Sequence, residues 1–168
     1  MLSYHTAQLS DLPFIIDVYN STVASRMVTA DTQPVTVESR LGWFAQHHPQ
    51  TRPLWLLKWH DKACGWVSLS SFYGRPAFNK TAEISLYLHT DFRGQKLGIP
   101  ILEYVESVCP ALGIETIMSF IFGHNHPSIK LFKQAGYAQW GFLPTIAELD
   151  ETKRDLVILG KKIVANLA

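Results

Sequence analysis

The sequence predicts a single mixed α/β domain of the α+β type, and three observations support this prediction. The chain has 168 residues, of which 47% are hydrophobic, with only 10 glycines and 9 prolines, a composition typical of a globular domain. Segments that alternate between apolar and polar residues are interspersed with segments of helical periodicity. We identify no repeat, linker or low-complexity tract, so we expect one domain over residues 1–168.

The first half of the chain is predicted to place two helices between strands. Ser10-Asp11-Leu12-Pro13 offers an N-cap and an early proline ahead of Phe14, Ile15 and Val18, whose spacing is helical. Thr36-Val37-Glu38-Ser39 has the pattern of a second helix start. In order, the predicted elements are a strand over 2–7, a helix over about 10–24, a helix from Thr36 to near His48-Pro49, and hairpin strands over 54–59 and 63–69.

The second half contains the clearest strand of the chain. Thr81–His89 alternates strictly, which places Glu83, Ser85 and Tyr87 on one face of that strand. Tyr87 either lines a substrate site or packs in the core, and the sequence leaves both open. Beyond this strand, the predicted elements are a helix that ends before Gly113, a strand over Ile114–Phe122, a helix over Pro127–Ala135 closed by Gly136, and extended segments from Tyr137 onward that include Val157–Leu159.

Charge and composition exclude several classes of protein. The 15 basic and 14 acidic side chains give a net charge of +1, and their dispersal argues against a nucleic-acid or anionic membrane partner. No run of about 18 apolar residues predicts a membrane helix. The first residues lack the pattern of a signal peptide, so we expect a cytoplasmic protein. Cys64 and Cys109 lie in apolar stretches and are predicted to be buried free thiols.

The segment Asp91–Pro100 joins the alternating strand to the next helix and contains two glycines. A loop of this kind points backbone amides at one place, where the helix dipole adds partial positive charge. Arg93 and Lys96 add mobile cationic charge, and Pro100 suits the first helical turn. The segment therefore predicts a phosphate site, although an ordinary strand-to-helix turn with solvated charges has the same pattern.

Three further motifs carry a resemblance to a known family over nearly the whole chain. Arg75–Glu83 reads Arg-Pro-Ala-Phe-Asn-Lys-Thr-Ala-Glu, Asn125–Leu131 precedes the pair Gly136-Tyr137, and Arg40 stands three residues before Trp43-Phe44. Together with the glycine-containing loop, these motifs resemble the GCN5-related N-acetyltransferase (GNAT) superfamily. Within it, they are most similar to the phosphinothricin and methionine sulfoximine acetyltransferase group of amino-acid N-acetyltransferases.

This resemblance implies a fold and a cosubstrate. The GNAT fold is a mixed central sheet of about seven strands, flanked by four helices and splayed at its two central strands. The pantetheine arm of acetyl-CoA docks there as a pseudo-strand, and one backbone amide polarises the thioester carbonyl. The residues that the resemblance assigns to acetyl-CoA are Leu86, Tyr87, Leu88, Arg93, Gly94, Gln95, Lys96, Leu97, Gly98, Ile99 and Asn125. From its position alone, Asn125 also fits a helix N-cap.

Two residues depart from the family pattern. Lys96 stands where the superfamily places a glycine, and its Cβ is expected to restrict backbone approach and positive φ. Its ammonium group is able to contact phosphate directly. Phe132 stands where many members carry a tyrosine proposed to protonate the leaving thiolate, so we assign no general acid.

The resemblance also assigns a catalytic base and an acceptor site. An amine with a pKa of about 8–10 arrives as ammonium at neutral pH and must lose a proton before it attacks a thioester. Glu83 occupies the family's base position, although alternation alone also fits a solvated glutamate. Arg75, Ala77 and Phe78 match the substrate wall, where a guanidinium holds a carboxylate; Arg75 also fits a free surface charge.

The function we predict is acetyl transfer from acetyl-CoA to the primary amine of a small amino acid or analogue, by direct attack in a ternary complex. The alternatives are acetylation of protein N-termini or lysines, and a non-catalytic CoA-binding module, which Lys96 and Phe132 motivate. His124 and His126 have no third ligand at a suitable spacing, so we predict no metal. The partner is a small-molecule amine, and the resemblance also implies a homodimer.

Overall fold

The structure is a computed structural model that describes residues 1–163, and these residues form the predicted mixed sheet with its helices. The seven strands are β1 (Leu2–Thr6), β2 (Leu54–Trp59), β3 (Lys62–Ser71), β4 (Thr81–Leu88), β5 (Thr116–Phe122), β6 (Ala138–Leu149) and β7 (Thr152–Lys162). The four α-helices are α1 (Leu12–Val23), α2 (Leu41–Ala45), α3 (Gly98–Val108) and α4 (His126–Gln134). Their order along the chain is the order predicted.

The strands form one sheet in the order β1-β2-β3-β4-β5-β7-β6. Every neighbouring pair is antiparallel except the central pair, β4 and β5, which is parallel. A parallel pair needs a crossover connection, which α3 provides. The sheet is open, with β1 and β6 at its edges.

Helices cover the sheet from both sides and create two cores. The larger core contains Ile101 and Val105 of α3 and Phe132 of α4, packed on Ile84 and Ile117 of the central strands. The smaller core on the opposite face is formed mainly by α1 with strands β2 and β3, and its buried members are Ala7, Leu12, Ile15, Ile16, Val18, Leu54 and Trp66. Apolar positions on both faces of the sheet are therefore removed from water.

The central pair of strands separates soon after it forms. Only Thr81–Glu83 of β4 pairs with β5, opposite Thr116–Met118. Beyond Glu83 the two strands diverge, although β4 continues to Leu88 and β5 to Phe122. This divergence confirms the splayed sheet that the family resemblance implied.

Two helices are shorter than predicted, each for a local reason. The sequence predicts the second helix from Thr36 to near His48, but α2 has only five residues after a 3-10 turn over Glu38–Arg40. Gly42 lies inside α2 and weakens it. The third helix ends at Val108 because Pro110 cannot continue an α-helix. A 3-10 turn over Pro110–Leu112 follows, and Gly113 ends it with a φ of +71°.

Candidate active site

A cavity of about 500 Å³ opens where the central strands diverge. Its walls are the separated halves of β4 and β5, the start of α4, the connection between α1 and α2, and residues of β6 and β7. The lining residues are Val28, Thr29, Ala30, Glu83, Ile84, Ser85, Leu86, Tyr87, Ser119, Phe120, Ile121, Phe122, Asn125, Ser128, Phe132, Ile146, Ala147 and Leu156. No Lys or Arg of residues 1–163 is among them, so the lining combines apolar and neutral polar side chains with one carboxylate.

That carboxylate belongs to Glu83, at the last paired position of β4. Glu83 lies opposite Met118 of β5 and Ser70 of β3, is half-buried, and lines the cavity. Burial raises the pKa of its carboxyl above the ordinary glutamate value, because removal of water disfavours the charged form. A carboxylate of increased basicity at the apex of a cavity is suited to accept a proton.

The half of β4 beyond Glu83, which has no partner strand on its β5 side, forms one wall of the cavity. Leu86 and Tyr87 line it directly, whereas the carbonyl of Leu88 accepts a hydrogen bond from Arg93 Nε at 2.9 Å. Tyr87 stacks on Trp66 with ring centroids 4.6 Å apart and an interplanar angle of 15°. It therefore does both things that the sequence left open, since it packs against the smaller core and lines the cavity.

The loop after β4 has the conformation of an anion site. Gly94 and Lys96 have φ values of +73° and +60°, so Lys96 adopts the left-handed backbone that its Cβ was expected to restrict. Arg93–Lys96 are exposed, and the backbone amides from Gly94 to Ile99 donate to no acceptor within the described chain. Free amides before a helix N-terminus are a favourable arrangement for phosphate groups.

Gly98 fixes the end of this loop. It is buried, and a Cβ at this position would lie 2.7 Å from the Cδ atoms of Leu131 in α4. A larger residue here would force the Leu131 side chain to move, so glycine allows the close approach between the first turn of α3 and α4. This contact places the loop beside the cavity wall that α4 contributes.

Asn125 and Phe132 place α4 against the cavity. Asn125 is the N-cap of α4, and its Oδ1 accepts from the Ser128 backbone amide at 3.3 Å. It is also buried and lines the cavity, so the capping and ligand roles are compatible. Phe132 is buried, lines the cavity and packs edge-on against Tyr137. A hydrocarbon side chain supplies no proton there.

The predicted acceptor residues lie apart from the cavity lining. Arg75 is exposed and precedes a 3-10 turn over Pro76–Phe78 that is also exposed. Phe78 packs against Phe72 and Tyr73, with centroid distances of 5.6 and 5.5 Å. Phe72 in turn stacks on Phe120 of the cavity wall at 6.2 Å. An aromatic chain of contacts thus connects this segment with the cavity.

Sequence reasoning missed two segments of the lining. Val28, Thr29 and Ala30 lie in the connection between α1 and α2, and Ile146 and Ala147 lie near the end of β6. Neither segment has periodicity or a motif. The only signal was the length of the connection between α1 and the next turn, because long irregular segments in compact domains are often functional.

The buried thiols were predicted correctly and lie outside the cavity lining. Cys64 and Cys109 are free and fully buried, and burial raises their pKa values to about 11 and about 12. Within residues 1–163, no group of three or more His, Cys, Asp or Glu side chains is arranged to hold a metal ion. In the same range, every helix is too short or too polar to cross a membrane.

Comparison with known proteins identifies the class that this fold and cavity define. The model of the acetyltransferase (GNAT) family matches residues 15–137, and the chain belongs to this family. It is therefore an acyl-CoA-dependent N-acetyltransferase whose cosubstrate is acetyl-CoA.

Individual relatives resemble the chain over nearly its full length. The Bacillus subtilis protein named "Putative phosphinothricin acetyltransferase YwnH" is 47% identical, covering 96% of this chain and 99% of its own. An L-methionine sulfoximine/L-methionine sulfone acetyltransferase from Pseudomonas aeruginosa is 29% identical, covering 87% and 86% of the two chains. A crystal structure of "a putative phosphinothricin N-acetyltransferase" superposes with a TM-score of 0.93 at 46% identity, covering 98% and 100%.

The geometry fits acetyl-CoA independently of these names. The cavity volume lies within the range of about 300–1,000 Å³ that ligand sites occupy. Within residues 1–163, β4 beyond Glu83 has no strand on its β5 side, which leaves backbone groups for an extended arm to pair with. The free amides from Gly94 to Ile99 lie at the end of that edge, where the arm would meet its pyrophosphate.

Proposed function

We propose that the protein transfers the acetyl group of acetyl-CoA to the primary amine of a small amino acid or amino-acid analogue, of the phosphinothricin or methionine sulfoximine type. The observation that carries this proposal is the position of Glu83, a half-buried carboxylate of raised pKa at the apex of the cavity. The names of the relatives at 47% and 29% identity support the class of acceptor.

Glu83 is the proposed general base. The acceptor reaches the cavity as ammonium, and Glu83 takes its proton directly or through one water molecule. The freed nitrogen lone pair attacks the thioester carbon, the carbon–sulfur bond breaks, and CoA leaves as a thiolate. Its sulfur is a tolerable leaving group because a thiol pKa is about 8.5. Solvent or the new ammonium protonates it, so Phe132 need not supply an acid.

Direct attack in a ternary complex agrees with where the cysteines lie. An acetylated-enzyme route through cysteine would need a thiolate within reach of the thioester. Cys64 and Cys109 are absent from the lining of the cavity, and their pKa values of about 11 and about 12 keep both thiols protonated at neutral pH. Neither is therefore placed to carry the acetyl group.

Acetyl-CoA binding is proposed to use backbone groups on β4 and in the following loop. Leu86, Tyr87 and Leu88 would pair with the pantetheine arm, and Asn125 would donate to it from the start of α4. The pyrophosphate would contact the amides of the loop and the cations of Arg93 and Lys96. The complete proposed loop is Arg93, Gly94, Gln95, Lys96, Leu97, Gly98 and Ile99.

Arg75, Ala77 and Phe78 remain the proposed acceptor wall. An amino-acid carboxylate needs a cation, and no basic side chain of the described chain lines the cavity. Arg75 follows the end of β3, whose Ser70 lies opposite Glu83. Arg75 thus follows, by five residues along the chain, the strand position that pairs with the proposed base. A movement of its exposed segment toward the cavity would bring the guanidinium to the acceptor.

Release of the CoA thiol tests the proposal. Purified protein with acetyl-CoA is assayed against free amino acids, phosphinothricin, methionine sulfoximine, and peptides with free N-termini or lysines. We expect turnover with one or more small amino acids or analogues and little with peptides. Preference for peptides would instead indicate a protein acetyltransferase. Tight acetyl-CoA binding without release in any reaction would indicate a binding module.

We also propose that the protein forms a homodimer through β6. This edge strand has exposed backbone groups on one side and carries Trp140, Phe142 and Ile146, which are 46%, 50% and 60% exposed. Exposed apolar side chains on a sheet edge favour association with a second copy. Sedimentation should show a dimer that Phe142→Glu dissociates, and a monomeric wild type would contradict the proposal. Cytoplasmic location also stays a prediction.

A further inference from the structure

Arg26 lies at the centre of a polar network at the rim of the cavity. It follows α1 by three residues and adopts a left-handed backbone with φ of +56°. Its guanidinium binds the carboxylate of Asp150 in bidentate fashion, with Nε–Oδ2 and Nη2–Oδ1 distances of 2.8 and 3.2 Å. Asp150 lies in the turn between β6 and β7, 124 residues away.

The side chain and the backbone carbonyl of Arg26 make three more hydrogen bonds. Arg26 Nη1 donates to the carbonyl oxygens of Val23 at 3.1 Å and Thr32 at 2.9 Å. The carbonyl of Arg26 accepts from His124 Nε2 at 2.6 Å, and His124 lies between β5 and α4. The side chain and the backbone carbonyl of Arg26 therefore connect three segments that are distant in sequence.

Each of these three segments contributes to the cavity lining beside its contact with Arg26. Val28, Thr29 and Ala30 begin two residues after Arg26. Ala147 lies three residues before Asp150, and Asn125 directly follows His124. None of the bonded residues Arg26, His124 and Asp150 lines the cavity itself. The network therefore acts on the cavity only through the segments that it holds.

Two of the three walls that the network holds, Val28–Ala30 and Ile146–Ala147, contain no residue assigned to acetyl-CoA, whereas the third contains Asn125, which is assigned to it. The edge of β4 and the loop Arg93–Ile99 bind the cosubstrate in the proposed function, and no hydrogen bond of the described residues joins either of them to Arg26. The walls formed by Val28–Ala30 and Ile146–Ala147 line the same cavity as Glu83. A small acceptor would contact these walls.

We propose that Arg26, through its ion pair with Asp150, is a positioning residue for the acceptor amine. It holds the connection between α1 and α2 against the β6–β7 hairpin and so sets the shape of the acceptor end of the cavity. This inference rests on the proposed acetyl transfer. It assigns Arg26 no contact with acetyl-CoA or with the reacting atoms.

The principal test compares two neutralising substitutions in one hairpin. Asp150→Asn removes the charge, and asparagine tolerates the left-handed backbone at this position, where φ is +49°. Glu148→Gln breaks the ion pair with Lys153, which lies within the hairpin and does not reach Arg26. We expect Asp150→Asn to raise the KM for the acceptor about threefold to fivefold, with the KM for acetyl-CoA and the Tm unchanged.

A second pair of variants separates positioning from folding. Arg26→Ala removes all side-chain bonds of the network and should raise the acceptor KM about tenfold. Arg26→Lys keeps the charge but loses the bidentate geometry, and should recover part of that loss. The inference is overturned if Asp150→Asn matches Glu148→Gln in acceptor KM, or if both KM values and the Tm change together. Absence of turnover in the wild type would instead overturn the proposed function.

Discussion

The two halves of β4 differ in one property, the presence of a neighbouring strand on the β5 side. Thr81–Glu83 pairs with β5, and its buried Ala82 lies opposite Ile117 in the larger core. Ile84–Leu88 has the same alternation but no strand on that side. The first half closes the sheet, and the second half leaves a backbone edge that borders the cavity.

This contrast shows that one strand serves both stability and binding. The residue at which pairing with β5 stops separates the part that stabilises the sheet from the part available to a ligand. Unpaired backbone groups in a sheet normally invite a neighbouring chain. Here the gap is flanked by β5 and α4, so an extended ligand takes that place in the proposed function. Glu83 stands at the boundary between the two halves.

The largest expected effect comes from the boundary residue itself. Glu83→Gln removes the proposed base without changing the size of the side chain, and we expect kcat to fall by about 10²–10⁴-fold at neutral pH. Binding of acetyl-CoA, measured by calorimetry, should be unchanged. Glu115→Gln is the matched control, because Glu115 precedes β5 and pairs with Lys80 in an exposed position. Full activity of Glu83→Gln at every pH would refute the base assignment.

The pH dependence of the same variant has a defined sign. The folded-state pKa of Glu83 is raised, so its charge opposes folding above that pKa and has no effect on stability below the unfolded pKa. Glu83→Gln should therefore keep or increase the Tm at neutral pH. Its activity should recover as pH rises toward the amine pKa of about 8–10, where free amine needs no base.

A second comparison tests the division between the two halves directly. Ile117→Ala, opposite Ala82 in the paired half, removes a fully buried side chain and should lower the free energy of unfolding by about 2–5 kcal/mol. Leu86→Ala in the unpaired half should cost only about 1 kcal/mol, since this side chain is partly exposed. It should weaken acetyl-CoA binding more. Equal losses of stability in denaturant titrations would argue against the division.

The smallest expected effect is in the loop that follows the unpaired half. Lys96→Gly relieves the cost of a side chain at φ of +60°, but it removes a cation from the proposed pyrophosphate site. We expect the Kd for acetyl-CoA to rise about threefold to tenfold at low salt, and the difference to shrink at high salt. Binding of acetyl-pantetheine, which lacks the pyrophosphate, should be unaffected. A tighter Kd for Lys96→Gly would show that Lys96 only strains the loop.

Sequence patterns predicted those elements whose formation depends on neighbouring residues in the chain. The alternation of Thr81–His89 predicted β4, because this signal depends on neighbouring residues. Gly113 was expected to end the third helix, but that helix ends earlier, at Val108, and Gly113 closes a 3-10 turn instead. The order of all strands and helices was also predicted. Periodicity did not predict the divergence of β4 from β5, whereas the resemblance of the motifs to a family did. Pairing between distant strands leaves no trace in either strand alone.

The ion pair at the rim of the cavity was not predicted from the sequence, because it also joins segments that are distant along the chain. Arg26 and Asp150 are 124 residues apart, and neither has a distinctive neighbourhood in the sequence. Sequence reasoning expected the Cβ of Lys96 to restrict positive φ, and the structure shows that Lys96 adopts a φ of +60° within its loop all the same. The acceptor wall at Arg75 stays a prediction, since its segment is exposed and is connected with the cavity lining through the contact of Phe72 with Phe120.

The stack of Trp66 on Tyr87 gives the protein a built-in optical probe. Trp66 is buried in the smaller core, and the ring it covers borders the proposed thioester site. A ligand in the cavity would change the surroundings of this indole without touching it. Titration of tryptophan emission, with Trp66→Phe as the blank, would then report occupancy without a label.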